Sequence, residues 1–316
     1  MLAAASAFAQ KPGPEPEADT APTIKVDVDV VNILASVRHK KGGLVSNLTK
    51  DDFFLEEDGK SQTIKYFARE TELPLTIGLL VDVSRSQERL IDIEKNAATQ
   101  FFNQVLKKND LAFLISFGEE VELLQDYTGS PRLLSSGLNG LRVSAPVGGI
   151  MPGPVPTIYR ARGTVLYDAM YLAADEKLKG QVGRKVVVLI TDGVDQGSRL
   201  KIQDALLAAQ KADAIVYSIY YSDPRAYGAY DFGPSDSALR RMSEDTGGRV
   251  FKVDGKHPLS DAFQQIQAEM RSQYAIGYTP TNSQKDGTFR RIEVRTRGKD
   301  LKVQARKGYY ASKPSA

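Results

Sequence analysis

Two apolar runs that each end in an acid constrain this chain more than any other feature. Leu75 to Val81 leads straight into Asp82, and Val186 to Ile190 leads into Thr191-Asp192. A strand that is hydrophobic along its whole length, rather than at alternate residues, is covered on both faces, as in the middle of a parallel sheet. Leu111 to Phe117 and Ile215 to Tyr221 read as two more strands of this kind. Helical periods lie between them. Leu90, Ile93, Ala97, Phe101 and Val105 recur every three or four residues, as do Leu259, Phe263, Ile266 and Met270. Ser130-Pro131 has the form of an N-cap and first helical residue, and Val165 to Leu178 is expected to be helical. Strands alternating with helices predict an α/β domain with a doubly wound, mostly parallel, Rossmann-like sheet.

The flanks read differently. Ile24, Val26, Val28 and Val30 alternate with polar residues, and the parity then shifts to Val31, Ile33, Ala35 and Val37, which implies a bulge. Phe53 to Glu57 and Thr63 to Phe67 flank Asp58-Gly59, a hairpin signal. After Gln273, strands return at Tyr274 to Tyr278, Phe289 to Thr296 and Leu301 to Ala305, with Asp286-Gly287 as a turn. Neither flank is large enough to be a domain alone. We expect one β-sandwich built from residues 24–72 and 274–312, with the α/β domain, 73–273, inserted into it. Residues 1–23 are expected to be a leader remnant and a Pro-rich linker, and 313–316 a tail.

Composition narrows the chemistry. The 316 residues contain no cysteine and only two histidines, His39 and His257, neither with an evident partner. That removes thiolate chemistry and leaves little for histidine-based catalysis or zinc. A net charge of +3 does not argue for nucleic acid. The basic stretch from Arg290-Arg291 to Arg306-Lys307 alternates with apolar residues and reads as the outer face of strands. No apolar run is long enough to span a bilayer. Ala7-Phe8-Ala9 has the form of a signal-cleavage site, so export to the periplasm or exterior is expected.

In open α/β sheets, ligands bind outside the carboxyl ends of the strands. Asp82 and Asp192 end two central strands, and Asp82-Val83-Ser84-Arg85-Ser86 stands between a strand and a helix. Thr164 precedes another helix and should face the same crevice. Asp82, Ser84, Ser86, Thr164 and Asp192 together form an all-oxygen set, which suits a hard divalent cation: Mg²⁺ first, with Mn²⁺ or Ca²⁺ open. Taken singly, these are ordinary turn and cap residues; their joint placement makes the case. Asp195 and Asp168 are expected to act outside the metal's own ligands, Asp168 favouring its helix N-terminus.

The pattern Asp82-x-Ser84-x-Ser86, with Thr164 and Thr191-Asp192-Gly193, resembles the metal-ion-dependent adhesion site of von Willebrand factor type A domains. The resemblance implies direct coordination by Ser84, Ser86 and Thr164, with Asp82 and Asp192 acting directly or through water. It also implies a non-catalytic protein-binding module whose partner completes the metal with an Asp or Glu side chain. Leu48-Thr49-Lys50-Asp51-Asp52-Phe53, Glu57-Asp58-Gly59-Lys60, Ile276-Gly277-Tyr278 and Arg306-Lys307-Gly308-Tyr309-Tyr310 resemble the related domain family described from Acidobacteria.

Around this site, residues 142–163 form a long Gly- and Pro-rich loop expected to border the metal. Tyr221, Tyr227 and Tyr230, with Tyr220 and Phe232 beside them, offer interface anchors. Arg85 and Arg162, with Arg89, Arg160, Arg199 and Arg225, offer a positive rim that would steer an acidic group inward. Two other readings stand beside this one. The metal could only stabilise the fold. A phosphatase of the haloacid-dehalogenase kind would need a second acid two residues after Asp82, where this chain has Ser84.

Overall fold

The computed structural model describes residues 30–70, 73–144, 163–222 and 235–311. Four strands come first: β1 (Val31–His39), β2 (Phe53–Glu57), β3 (Lys60–Ser61) and β4 (Ile64–Glu70). Then follow β5 (Leu75–Asp82), α1 (Ile91–Val105), β6 (Leu111–Phe117), β7 (Val121–Thr128), α2 (Pro131–Asn139), α3 (Leu166–Tyr171), β8 (Arg184–Thr191), α4 (Ile202–Lys211), β9 (Ala214–Tyr220), α5 (Ser237–Thr246), β10 (Val250–Lys252) and α6 (Leu259–Met270). The chain closes with β11 (Gln273–Tyr278), β12 (Phe289–Thr296), β13 (Leu301–Ala305) and β14 (Gly308–Tyr310).

The central sheet has the order β10-β9-β8-β5-β6-β7. All neighbours run parallel except β7, which is antiparallel to β6. Numbered along the chain, this is the doubly wound order in which the direction of winding reverses between the first and fourth strands, here β5 and β8. Helices α1, α2 and α6 cover one face, where Leu75, Ile77, Leu79 and Val81 of β5 meet Phe101, Phe102 and Phe263. Helices α3, α4 and α5 cover the other, against Leu80, Ile115, Val187 and Leu189. Helix α3 continues into a wider π-helical stretch, Leu172–Leu178. Strands β7 and β10 were not evident in the sequence. The first is a half-exposed edge strand without an apolar run, and the second is three residues long.

Both flanks build the sandwich. One sheet has the order β13-β1-β11-β4 and the other β14-β12-β2-β3, so each mixes strands from the two ends of the chain. Ile33, Ala35 and Val37 of β1 face inward with Leu55, Tyr274, Ile276, Tyr278 and Ile292. The buried Glu57 carboxylate of one sheet accepts a hydrogen bond from Tyr278 of the other at 2.5 Å, and from Tyr309 at 3.0 Å. The alternation at residues 24–29, and with it the expected bulge, lies outside the described residues.

Three sequence readings need correction. Asp58-Gly59 does turn the chain, with φ of +49° and +76°, but across that turn β2 meets only the two-residue β3, and its full-length partner is β12. The strand expected as its full partner, β4, crosses to the other sheet and pairs with β11. In α1 the buried face is Ile91, Glu94, Ala98, Phe101, Phe102 and Val105, while Ile93 is exposed. Along β12, Arg291 and Arg295 face outward but Arg290 points inward, and Asp286 and Asp58 neutralise it.

Candidate metal centre

Asp82 is the last residue of β5 and is completely buried. Beyond it the chain must turn sharply to start a helix, and the aspartate shapes that turn: its Oδ1 accepts the Ser84 N–H at 2.9 Å. Ser84 stays extended, and Arg85–Gln87 form one 3-10 turn before α1. The Ser84 and Ser86 hydroxyl oxygens come within 3.0 Å of each other.

On the neighbouring strand β8, Thr191 donates its hydroxyl to Asp82 Oδ2 at 2.6 Å and accepts the Gly193 N–H at 3.1 Å. Asp192, 1 % exposed, accepts the Ser86 hydroxyl on Oδ2 at 2.6 Å and the Val194 N–H on Oδ1 at 3.2 Å. Gly193 follows with φ +80°, and a Cβ there would lie 2.3 Å from the Ser235 carbonyl, so only glycine fits. Four of the five anticipated residues are thus joined through side-chain contacts across β5 and β8, at the reversal of winding.

Thr164 reaches this edge through its backbone. Its carbonyl accepts the N–H groups of Gln196 and Gly197, in the loop after β8, both at 3.0 Å. The next residue, Val165, donates to the carbonyl of Gly118, just past β6, at 2.9 Å. Since β5 lies between β6 and β8, these bonds hold Thr164 across the carboxyl end of β5.

Three other residues belong to this constellation. Gln87 is fully buried, and its Nε2 donates to Asp192 Oδ2 at 3.1 Å and to the Tyr221 carbonyl at 3.2 Å. Thr191 orients Asp82 as described. Glu94, one turn into α1, is 0 % exposed with neither carboxylate oxygen hydrogen-bonded among the described residues. Burial raises its carboxyl well above the usual range, with Asp82 and then Asp192 adding repulsion. Burial likewise pushes Asp82 up to about 7, with Asp192 again adding to it. Three buried acids therefore share one small volume. A glutamine and a glutamate give no signal in sequence until the helix phase is known.

Asp195 and Asp168 lie apart from these contacts. Asp195 accepts the Ser198 hydroxyl at 2.5 Å. Asp168 accepts the N–H groups of Arg199 and Leu200, so it ties down the loop after β8 as well as standing in the first turn of α3. Of the anticipated rim, Arg85 is exposed on the 3-10 turn. Tyr221 is half-buried and packs on the core beneath α1, with its N–H donating to the Thr191 carbonyl at 3.0 Å. Arg162, Tyr227 and Tyr230 lie outside the described residues, as do Arg160, Arg225, Phe232 and most of the loop 142–163. His39 and His257 each have an exposed aspartate partner, Asp300 and Asp254.

Among the described residues no three His, Cys, Asp or Glu side chains form a metal cluster, so any cation here must rely on hydroxyl oxygens beside two carboxylates. Also among the described residues, no helix is long and apolar enough to cross a membrane.

No family model matches the chain, and no curated protein matches it. Solved structures do. An aerotolerance-related membrane protein from Bacteroides fragilis is 15 % identical with a TM-score of 0.45, covering 62 % of this chain and 98 % of that one. Proximal thread matrix protein 1 from the mussel byssus, solved with a zinc-occupied MIDAS motif, is 14 % identical with a TM-score of 0.49, covering 66 % of this chain and 48 % of that one. The SpRpn10 VWA domain is 15 % identical with a TM-score of 0.41, covering 61 % and 95 %. The fold assignment stands on the strand order and register given above.

Proposed function

We propose that this chain is a non-catalytic, divalent-metal-dependent protein-binding module of the von Willebrand factor A kind. In this reading Asp82, Ser84, Ser86, Thr164 and Asp192 hold Mg²⁺, and a partner protein completes the coordination with an Asp or Glu side chain. The observation that carries it is the oxygen spacing. An octahedron with metal–oxygen distances of about 2.1 Å has neighbouring oxygens about 3.0 Å apart. Ser84 Oγ and Ser86 Oγ are 3.0 Å apart, and Ser86 Oγ and Asp192 Oδ2 are 2.6 Å apart.

Electrostatics supports the same reading. Asp82 and Asp192 are nearly inaccessible and Glu94 is buried beside them, so ionising this group of acids is costly without a counter-charge. A divalent cation supplies that charge and acts as a Lewis acid toward an incoming carboxylate. With both Asp82 oxygens engaged by Ser84 and Thr191, that residue is suited to act through water. Neutral hydroxyls leave the cation electron-poor, so an external carboxylate is attracted. Residues 73–273 form the binding unit, the sandwich carries it, and the Ala-Phe-Ala segment marks the chain for export.

A second reading, a metal that only stabilises the fold, is favoured by the near-complete burial of Asp82 and Asp192. Calorimetry with Mg²⁺ tests the site: Asp82→Ala abolishes binding while the circular dichroism spectrum is kept, and unchanged affinity overturns the assignment. A pull-down from the cell envelope, with and without chelator, separates the two readings. Metal-dependent capture of a partner supports adhesion. Metal binding without capture leaves the stabilising role.

A further inference from the structure

A cavity of about 270 Å³ opens far from the candidate metal centre, between the turn after β1, β10 and α6. Arg38 from the sandwich and Arg249, just before β10, both line it, as does Glu269 near the end of α6. Arg38 Nη2 donates to Glu269 Oε1 at 2.9 Å. Arg249 meets the same oxygen through Nε at 2.6 Å and Nη2 at 2.5 Å. The second oxygen, Oε2, has no hydrogen-bond partner among the described residues although Glu269 is 1 % exposed. The Tyr217 hydroxyl, fully buried in β9 nearby, also has none.

The charges do not balance. Two guanidinium groups share one carboxylate, leaving one positive charge in a concave, half-desolvated place. Burial lowers the Arg38 guanidinium's affinity for its proton, and Arg249 lowers it further, while Glu269 opposes both. Arg249 is held flat by Phe251, whose ring centroid is 3.9 Å from the guanidinium carbon, so its fork is already oriented. Exposed Lys40 and Lys41 sit on the adjoining turn and add positive potential at the mouth. Planar guanidinium forks match carboxylate and phosphate geometry.

We propose that this cavity binds a small oxyanion, a free phosphate or a small carboxylate, between Arg38 and Arg249, bridging the sandwich to the α/β domain. A cavity this size accepts such an ion with a few waters but no folded segment. The site is independent of the metal reading.

The test is calorimetric titration of the whole, metal-free chain with inorganic phosphate and separately with acetate, at constant ionic strength set by chloride. Saturable binding of either is expected, and which anion binds more tightly identifies the class. Arg38→Gln should weaken it about tenfold or more, the usual effect of losing a charged hydrogen bond. Glu269→Gln should strengthen it, because it removes the internal competitor. Arg38→Lys keeps the charge and loses the fork, so it should fall between wild type and Arg38→Gln. Thermal melts confirm that each variant is folded. Absence of saturable binding for both anions, or equal affinity in wild type and folded Arg38→Gln, overturns the proposal.

Discussion

Thr191 and Asp82 lie on adjacent parallel strands, and the hydroxyl of the first donates to the carboxylate of the second at 2.6 Å in a fully buried setting. Because the same hydroxyl accepts the Gly193 N–H, it aims Asp82 and fixes the turn that presents Asp192. Replacing it with an isosteric methyl leaves two buried polar groups unpaired. Thr191→Val should destabilise the protein by about 1–3 kcal/mol in urea unfolding and weaken Mg²⁺ binding. Thr191→Ser should restore most of both.

The buried acids predict an unusual pH dependence for the metal-free protein. Asp82 titrates at about 7 in the folded state against an ordinary 3.8. Between those values the native state keeps a proton that the unfolded chain has released, so stability falls as pH rises through that window. Asp236 works the opposite way: hydrogen bonds from Arg240 and then Lys252 push it down to about 2, so its contribution is lost only as pH falls below the ordinary range. Melting temperatures of metal-free protein should therefore decline from about pH 4 to about pH 7. Saturating Mg²⁺ should flatten the decline, since it takes the place of the proton. A metal-free melting temperature that climbs steadily across this window would contradict the assignment.

Glu94 contributes in the same direction, since its carboxyl is raised well above 4.5. Glu94→Gln keeps the shape and removes the ionisation. Its metal-free melting temperature should exceed that of wild type increasingly as pH rises above the ordinary glutamate value of 4.5, and converge with it below that value, where the folded and the unfolded wild-type chains both hold the proton. Equal melting temperatures throughout would mean that neither burial nor the two aspartates opposes ionisation of Glu94.

Gly193 is fixed by geometry. A Cβ would meet the Ser235 carbonyl at 2.3 Å from a left-handed backbone. Gly193→Ala should cost about 1–3 kcal/mol of stability and displace Asp192, so Mg²⁺ affinity should fall more than in Gly255→Ala, where a Cβ meets nothing within 4 Å. Urea unfolding and calorimetry on both variants check this.

Much of the fold was legible because its signals are local. A run such as Leu75 to Val81 has no polar residue to face water on either side except Thr76, which forces it to the centre of a sheet. An acid ending such a run must lie at the carboxyl edge, as Asp82 at the end of β5 and Asp192 just past β8 do. Elements with weak apolar content, such as β7 and β10, were missed for the same reason.

Helix α1 marks where local reading stops. Periodicity put Ile93 inside, yet Ile93 is 50 % exposed and the neighbouring Glu94 is buried. Hydropathy counts transfer to an apolar interior; most of α1 meets one, but Glu94 in its first turns is buried close enough to Asp82 and Asp192 to feel their charge.

The amino-acid order alone determined that two acids stand at strand ends beside hydroxyl residues, because strand burial and strand termination are properties of a few consecutive residues. Only the tertiary structure decided that Thr191 aims Asp82, that Gln87 steadies Asp192, that Glu94 lies inward, and that Arg38 and Arg249 share Glu269. Those relations depend on the register between strands and the rotation of helices against them, which packing across the whole chain sets.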